Sequence, residues 1–431
     1  MLDAAPAVRA RPEPAPGAAA ERMAWLDALR AVAVLLVVYA HLSRYLFRGV
    51  RGFTGEWLHA GTAGVMLFFL VSGYIIPASL ERHGSLRSFW VSRLARLLPL
   101  YVVVTVLVLC LGANGLVPMD PYLAAHPVTA AVAHATMLPH LLGVPLVTPV
   151  FWTLTFEMVF YLLVSALFAL RLHRTGGAVA VLLSAIAVLT VPLAPGLLSA
   201  TPAGVRAVTV AVALGLAAGL PAVASGRRRI VVCGALLLAA IAGTLLAAGQ
   251  DPAHVWDGLL IVAVMFVGTA IHRAQHRQTG WWQAGAVAAA VSAALLFAWY
   301  AELDALGAPT ATYRARSVIT LLVFGGVFAL GLLTRWAWRP LAWLGRVSYS
   351  VYLVHFVLIQ LLRPVLTPLG DRLPGAGEVP VALAYLGLLL GVSWLTHRFV
   401  EVPGQRLGRR GARWMTARWG SDARTGAAPA R

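Results

Sequence analysis

This chain contains no lysine, since all 34 of its basic residues are arginine. It is also poor in charge, at 12% of 431 residues, and in cysteine, with only Cys110 and Cys233. Both cysteines fall in apolar stretches, which argues against a disulfide framework and against a thiolate metal site. The sequence has no P-loop, no dinucleotide-binding fingerprint and no H-E-x-x-H motif, so nothing in it predicts a bound metal.

What the chain has instead is apolar sequence, with 60% hydrophobic residues and a mean hydropathy of +0.80. Such a composition excludes a water-soluble globule. Backbone groups in a bilayer must pair internally, so runs of about 20 apolar residues predict helices. We expect an all-α, polytopic membrane helical bundle of 10 to 12 transmembrane helices. The twelve candidate spans are 25–47, 61–80, 94–112, 150–170, 177–194, 204–222, 230–248, 256–271, 282–300, 317–334, 347–365 and 380–400.

The arginines are distributed unevenly between the segments that join these spans. With the N-terminus inside, 25 arginines fall on the inner side and 8 on the outer side, while Arg30 lies within the first span. This asymmetry predicts cytoplasmic termini and a multi-pass protein of the cell membrane. It also explains the net charge of +18 without a nucleic-acid partner. We expect a disordered cytoplasmic tail at 1–24, a transmembrane domain at 25–403 and a basic cytoplasmic tail at 404–431.

The first span carries two ionisable residues, Arg30 and His41. Eleven residues amount to about three helical turns, so both side chains project from one face, roughly 16 Å apart along the axis. Ionisable groups inside a membrane helix are costly and usually functional. The alternative is structural: an interfacial arginine that reaches the headgroups, and a histidine bonded to a neighbouring helix.

The fourth span begins with Trp152 and carries a carboxylate, Glu157. If this span runs inward, Glu157 lies roughly 10 Å below the outer surface, at about the same depth as His41. A carboxylate at that depth would fix the tautomer of the imidazole and raise its basicity. Alternatively, Glu157 pairs with an arginine or has a structural role.

Arg93 and Arg96 follow the second span. Three residues apart, they would share one face of a helix at the cytoplasmic surface, where Arg30 also lies. Paired guanidinium groups suit phosphate oxygens. The alternative is that these charges only set the topology.

Six short elements follow one another along most of the chain. They are Leu26–Arg30 with Tyr39–His41; Gly64–Tyr74; Phe89-Trp90 with Arg93, Arg96 and Pro99; Phe151-Trp152 with Glu157 and Phe160-Tyr161; Leu344–His355; and Arg398–Pro403. In this order they resemble the membrane-bound acyltransferase-3 family of O-acyltransferases. Residues 175–335 carry no comparable element.

The resemblance implies an acyltransferase (EC 2.3.1) that moves an acyl group, often acetyl, from acyl-CoA as co-substrate to a hydroxyl. The acceptor would be a sugar, a cell-envelope glycan, or a glycosylated or polyketide metabolite. His41 would be the general base, with Glu157 as its orienting partner or as a ligand of the acceptor hydroxyls. Arg30, Arg93 and Arg96 would bind the donor. The residues expected to line the acceptor pocket, with helix packing as the alternative role for the last three, are Trp152, Tyr349, Tyr352 and His355.

Two questions stay open at this point. The acyl group would reach His41 either on an extended pantetheine arm or through a covalent acyl-enzyme. The chain also has the span number of a secondary transporter, in which membrane histidine and glutamate would relay protons. Against that alternative, we find no internal repeat, and the ionisable residues concentrate in the N-terminal third.

Overall fold

The computed structural model of the protein describes residues 16–191, 200–248, 255–307, 310–373 and 375–419. Within these residues there is no β-strand, which confirms the predicted all-α class. The α-helices are α1 Pro16–Leu42, α2 Arg48–Trp57, α3 Ala60–His83, α4 Leu86–Ala113, α5 Pro121–Ala125, α6 Pro127–Ala135, α7 Trp152–Ala169, α8 Gly176–Thr190, α9 Pro202–Val223, α10 Arg228–Ala248, α11 Val255–Gln275, α12 Trp281–Ala305, α13 Ala311–Thr334, α14 Arg339–Arg346, α15 Ser348–Arg372, α16 Glu378–Thr396 and α17 Val402–Trp419.

The predicted number of spans is confirmed. Among the described residues, twelve helical segments are long and apolar enough to cross a bilayer, and they follow the predicted order. The last of them, Gly375–Met415, continues through α16, a π-helical turn and most of α17. Which side of the membrane each helix end faces stays a prediction from the arginine distribution.

The third span begins about two turns earlier than predicted. α4 starts at Leu86, because the Ser85 hydroxyl caps the helix by accepting a hydrogen bond of 3.1 Å from the backbone N–H of Ser88. Arg93 and Arg96 therefore lie inside a helix, and Arg93 is buried.

Part of each predicted tail is helical. α1 begins at Pro16, inside the predicted tail 1–24, and α17 continues to Trp419, inside the predicted tail 404–431. α17 packs along α4. The residues before Pro16 and after Trp419 lie outside the described part of the chain.

The centre of the bundle consists of α3, α7 and α11, each of which is mostly buried, and α1 packs along α3. The peripheral helices instead expose apolar side chains, for example Val102, Leu214 and Leu322. An apolar exterior is stable in a bilayer, because lipid tails are as apolar as these side chains.

Two glycines allow α3 and α11 to pack closely. A Cβ atom at Gly73 would overlap the backbone carbonyl of Met265, and one at Gly268 would overlap the backbone carbonyl of Leu70. In a membrane, small residues let helix backbones approach each other and gain van der Waals contact.

We expect Gly73→Ala to destabilise the protein by about 1–3 kcal/mol, because the added methyl group meets backbone that cannot rotate away. Gly326→Ala in α13 is the matched control, since a Cβ atom there meets nothing within 4 Å. Thermal unfolding of the two detergent-purified variants measures the difference. Equal stability of the two would contradict the close contact of α3 with α11.

Candidate active site

α1 places an arginine and a histidine far apart on one face. His41 is one residue from the C-terminal end of the helix, and Arg30 lies three turns earlier, roughly 16 Å away along the axis. Each has its own polar surroundings.

His41 is paired with a second histidine. Its Nδ1 lies 2.9 Å from the carbonyl oxygen of Val37 and 3.3 Å from Nε2 of His355. His355 is fully buried, and its Nδ1 lies 2.7 Å from the carbonyl oxygen of Tyr352. The Phe356 ring packs edge-on against the His41 ring, with centroids 5.3 Å apart.

These partners determine the tautomers of both neutral rings. A carbonyl oxygen only accepts, so the Nδ1 atoms that face Val37 and Tyr352 carry the protons. Nε2 of His355 is then an acceptor, and His41 Nδ1–H donates both to it and to Val37. Nε2 of His41 keeps a free lone pair and has no hydrogen-bond partner among the described residues.

A cavity of about 410 Å³ lies beside His41. Trp152 and Tyr352, two of the predicted pocket residues, line it. The Tyr352 hydroxyl is held in place because it donates to the carbonyl oxygen of Val150 at 3.1 Å and accepts from the Thr153 hydroxyl at 2.9 Å. His355 is not part of this lining and lies behind His41.

A second, much smaller cavity, of about 20 Å³, lies beside α1 between its two ionisable residues. It shares Val37 and Tyr352 with the larger cavity, and Ala33 and Tyr349 extend its lining. The Tyr349 hydroxyl donates to the carbonyl oxygen of Leu97 at 2.8 Å. The lining is almost wholly apolar.

The predicted arginines come together near the middle of α1, around Arg30. Arg30 Nη1 lies 3.3 Å from an oxygen of Asp27, and Arg96 is within electrostatic range of both residues. Arg93 lies over the ring of Tyr161, 5.7 Å from its centroid. The Nε atoms of Arg30 and Arg93 are buried and have no hydrogen-bond partner among the described residues.

Glu157 belongs to this second cluster. It accepts a hydrogen bond from the Tyr161 hydroxyl and is within electrostatic range of Arg30 and Arg96. The expected contact with His41 is not formed, because Glu157 lies five residues, or about 7.5 Å, along α7 from the cavity residue Trp152. The partner of His41 is an imidazole where we expected a carboxylate.

Glu401, which has no role in the sequence-based prediction, is a buried carboxylate near the arginines. It accepts hydrogen bonds from the Ser350 hydroxyl at 3.1 Å and from Gln405 at 3.0 Å, and lies 2.9 Å from His397 Nδ1. Arg96 is within its electrostatic range. A π-helical turn, His397–Glu401, presents it, and such turns often mark functional sites. In the sequence, the sign that could have identified Glu401 is a single acidic residue between apolar neighbours, Val400 and Val402.

No group of three or more histidine, cysteine, aspartate or glutamate side chains arranged to hold a metal ion occurs in the part of the chain that the structure describes. The described residues offer for chemistry an imidazole with a free lone pair beside a cavity, and buried guanidinium groups.

These features define a class: a polytopic helical membrane protein in which one helix carries a histidine beside a cavity and, about three turns earlier, an arginine that belongs to a buried cluster. Residues 23–398 match the acyltransferase domain of the acyltransferase-3 family, so the chain belongs to this family.

Individual relatives match shorter regions. Nodulation protein 10 of Rhizobium leguminosarum bv. viciae is 32% identical over 178 residues, which are 37% of this chain and 48% of that protein. The peptidoglycan O-acetyltransferase OatA of Listeria monocytogenes is 36% identical over 91 residues, 20% of this chain and 13% of OatA.

A Staphylococcus aureus (strain MSSA476) protein named as a candidate O-acetyltransferase is 38% identical over 92 residues, 20% of this chain and 13% of that protein. The chain thus spans less than half the length of each of these three relatives. No solved structure matches this chain significantly.

Proposed function

We propose that this protein is a membrane O-acyltransferase that moves an acetyl or other short acyl group from acyl-CoA to a hydroxyl, with His41 as general base. The carrying observation is the His41 ring, whose Nδ1–H is held by Val37 and His355 while Nε2 is free beside a cavity of about 410 Å³. A hydroxyl is a weak nucleophile at neutral pH, and a positioned imidazole is suited to remove its proton.

The proposed step is a direct transfer. The acceptor oxygen attacks the thioester carbonyl carbon and its proton moves to His41 Nε2. A carbon–oxygen bond forms, the carbon–sulfur bond breaks, and the proton leaves with the CoA thiolate. His41 then returns to its neutral form, and Nδ1–H stays bonded throughout to Val37 and His355.

Arg30, Arg93 and Arg96 bind the phosphates of the donor in this proposal. The buried, unpaired Nε atoms of Arg30 and Arg93 support it, because unsatisfied guanidinium donors are costly in a protein interior and phosphate oxygens would satisfy them. The uncharged pantetheine arm would run along α1 to His41, over roughly 16 Å, and would have to widen the apolar cavity of about 20 Å³ that lies there.

Three further predicted residues keep a place in the proposal. Trp152 and Tyr352 would contact the acceptor in the larger cavity. Tyr349 lines the smaller cavity and would contact the donor arm there. His355 becomes a positioning residue for His41 instead of a substrate contact. Glu157, hydrogen-bonded to Tyr161, would orient the arginine cluster.

We further propose a location in the cell membrane with cytoplasmic termini, so that the donor arrives from inside. The acceptor would be a sugar, a cell-envelope glycan, or a glycosylated or polyketide metabolite. Mass spectrometry of glycans and metabolites from cells with and without the gene tests this assignment. Uptake of a solute without acyl-CoA-dependent acylation would support the alternative of a proton-coupled transporter.

His41→Gln should reduce acyl transfer by at least about 10²-fold, the lower range of general-base contributions, because the amide cannot take a proton. Membranes with matched protein amounts, assayed for acyl-CoA-dependent acylation, measure it. In the unaltered enzyme, activity should fall on the acid side of the pH profile, because a protonated imidazole cannot take the proton of the hydroxyl. Near-normal turnover of the variant would remove His41 as the base.

His355→Leu should lower kcat about tenfold with little change in either KM, because one hydrogen bond that orients His41 is lost. His355→Gln should recover most of this activity, since its amide oxygen can again accept from His41 Nδ1–H. Equal activity of the two variants at equal expression would indicate a packing role alone.

Arg93→Gln and Arg96→Gln should raise the KM for acyl-CoA more than they lower kcat, because they remove donor contacts. Arg228→Gln is the matched control: it also removes a charge predicted to lie inside, but Arg228 donates to the carbonyl oxygen of Ala169. Reporter fusions at the termini would reveal an inverted topology, the result expected if Arg93 and Arg96 act only on orientation.

A further inference from the structure

The cavity beside His41 is lined by cations. Arg44, Arg51 and Arg316 contribute to its wall together with His41 and His59. No aspartate or glutamate is among the residues that line it. A pocket of this size needs only a few placed polar groups to orient a small molecule. Three arginines among those groups favour an anionic ligand.

These arginines differ from their neighbours in their partners. Arg48 and Arg314, just outside the cavity, form ion pairs with Asp371 and Asp304, at 2.7 and 3.0 Å. The three cavity arginines have no carboxylate partner within the described residues.

Arg51 and Arg316 are oriented by uncharged groups. Arg51 donates to the carbonyl oxygen of Ala40 at 2.9 Å and to the Ser43 hydroxyl at 3.2 Å. Arg316 donates to the carbonyl oxygen of Gly55 at 3.2 Å. Backbone and hydroxyl oxygens hold the guanidinium groups in place without cancelling their charge.

The charges are close enough to affect one another. Burial lowers the pKa of His59, and the nearby charges of Arg316 and Arg51 lower it further. Arg44 and Arg51 are also within electrostatic range of His41. Like charges held together repel, so an anion bound here would be stabilised by several cations at once.

Membrane topology does not account for this cluster. Arginine is depleted in segments that cross to the outer side. Only eight of the 34 arginines fall in the segments predicted to lie outside, and three of those eight line this one cavity. Their concentration calls for a local cause.

We infer that the acyl acceptor is an anionic molecule whose carboxylate or phosphate group is held by Arg44, Arg51 and Arg316 while its hydroxyl reaches Nε2 of His41. This inference rests on the proposed acyltransferase function and specifies the substrate class of the same site. Guanidinium groups bind both oxyanions through paired hydrogen bonds, so the shared chemistry is that of an oxyanion next to a hydroxyl.

Matched pairs of probes test the inference. Methyl glucuronide and methyl glucoside differ by a carboxylate, and glycerol 3-phosphate and glycerol differ by a phosphate. With acetyl-CoA as donor and purified enzyme in detergent, acylation should favour the anionic member of at least one pair. Which pair responds distinguishes a carboxylate acceptor from a phosphate acceptor.

Arg51→Gln and Arg316→Gln should each raise the KM for that anionic acceptor about tenfold or more, the effect of losing one charged hydrogen bond. The KM for acetyl-CoA should stay unchanged. Arg314→Gln is the matched control, because Arg314 is paired with Asp304 outside the cavity and should leave acceptor kinetics unaffected. A rise in the KM for acetyl-CoA in place of the acceptor KM would overturn the inference, because it would make the cavity the donor site.

A binding measurement separates this inference from the proposed reaction. At millimolar concentration, an anionic probe should raise the unfolding temperature of the unaltered protein more than its neutral partner does. The difference should disappear in the double variant Arg51→Gln with Arg316→Gln. Equal shifts for both members of each pair, or a shift that survives in the double variant, would overturn the anion site. Absence of acyl transfer with the binding difference intact would instead refute the reaction and keep the site.

Discussion

The proton on His41 Nδ1 is shared by two acceptors and forms a buried polar contact between α1 and α15. It bonds α1 to its own Val37 carbonyl and to His355 on α15. Polar groups without partners cost several kcal/mol in a bilayer, so α1 and α15 pack stably only with these nitrogens paired. The remaining nitrogen, His41 Nε2, lies beside a cavity, where a polar atom is tolerated without a protein partner. The requirement to satisfy the buried nitrogens thus also exposes one lone pair.

Hydropathy was sufficient to predict the number and order of the spans, because a bilayer permits one solution for long apolar runs, a helix that pairs its own backbone. The separation of Arg30 and His41 along the axis of α1 could also be predicted, because it depends only on the rise per residue of one helix. The start of α4 was harder to predict, since Arg93 and Arg96 are charged yet lie within a helix. An apolar run does not show how far its helix extends into the polar sequence before it. For α4 the start is set by the N-cap at Ser85.

Relations between helices account for the errors at the site. We estimated the depth of Glu157 and of His41 separately, from the number of residues between each one and the end of its own span. That estimate does not include how far the two helices are shifted along each other. In the structure Trp152 is level with the cavity, and Glu157 lies five residues further into the bundle, among arginines. The contact of His355 with His41 depends on how α15 packs on α1, and no periodicity within α15 encodes that. Glu401 is presented by a π-helical turn, which shifts side chains off the 3.6-residue repeat.

Arginines gather around Arg30, near the middle of α1, and around His41 at its C-terminal end, but their charges are compensated differently. Asp27, Glu157 and Glu401 are all within electrostatic range of Arg96, as a buried cationic cluster requires in order to persist without a ligand. The cavity at His41 has no such carboxylates in its lining, and its arginines keep contact with solvent that screens them. Between the two clusters, α1 is flanked by a small cavity of about 20 Å³ with an apolar lining, in which a charged group would lose its hydration. For the proposed reaction, such a lining would favour the uncharged arm of the donor over its phosphates. The phosphates would then stay near Arg30 and the anionic group of the acceptor near His41, so that the thioester and the hydroxyl meet at His41.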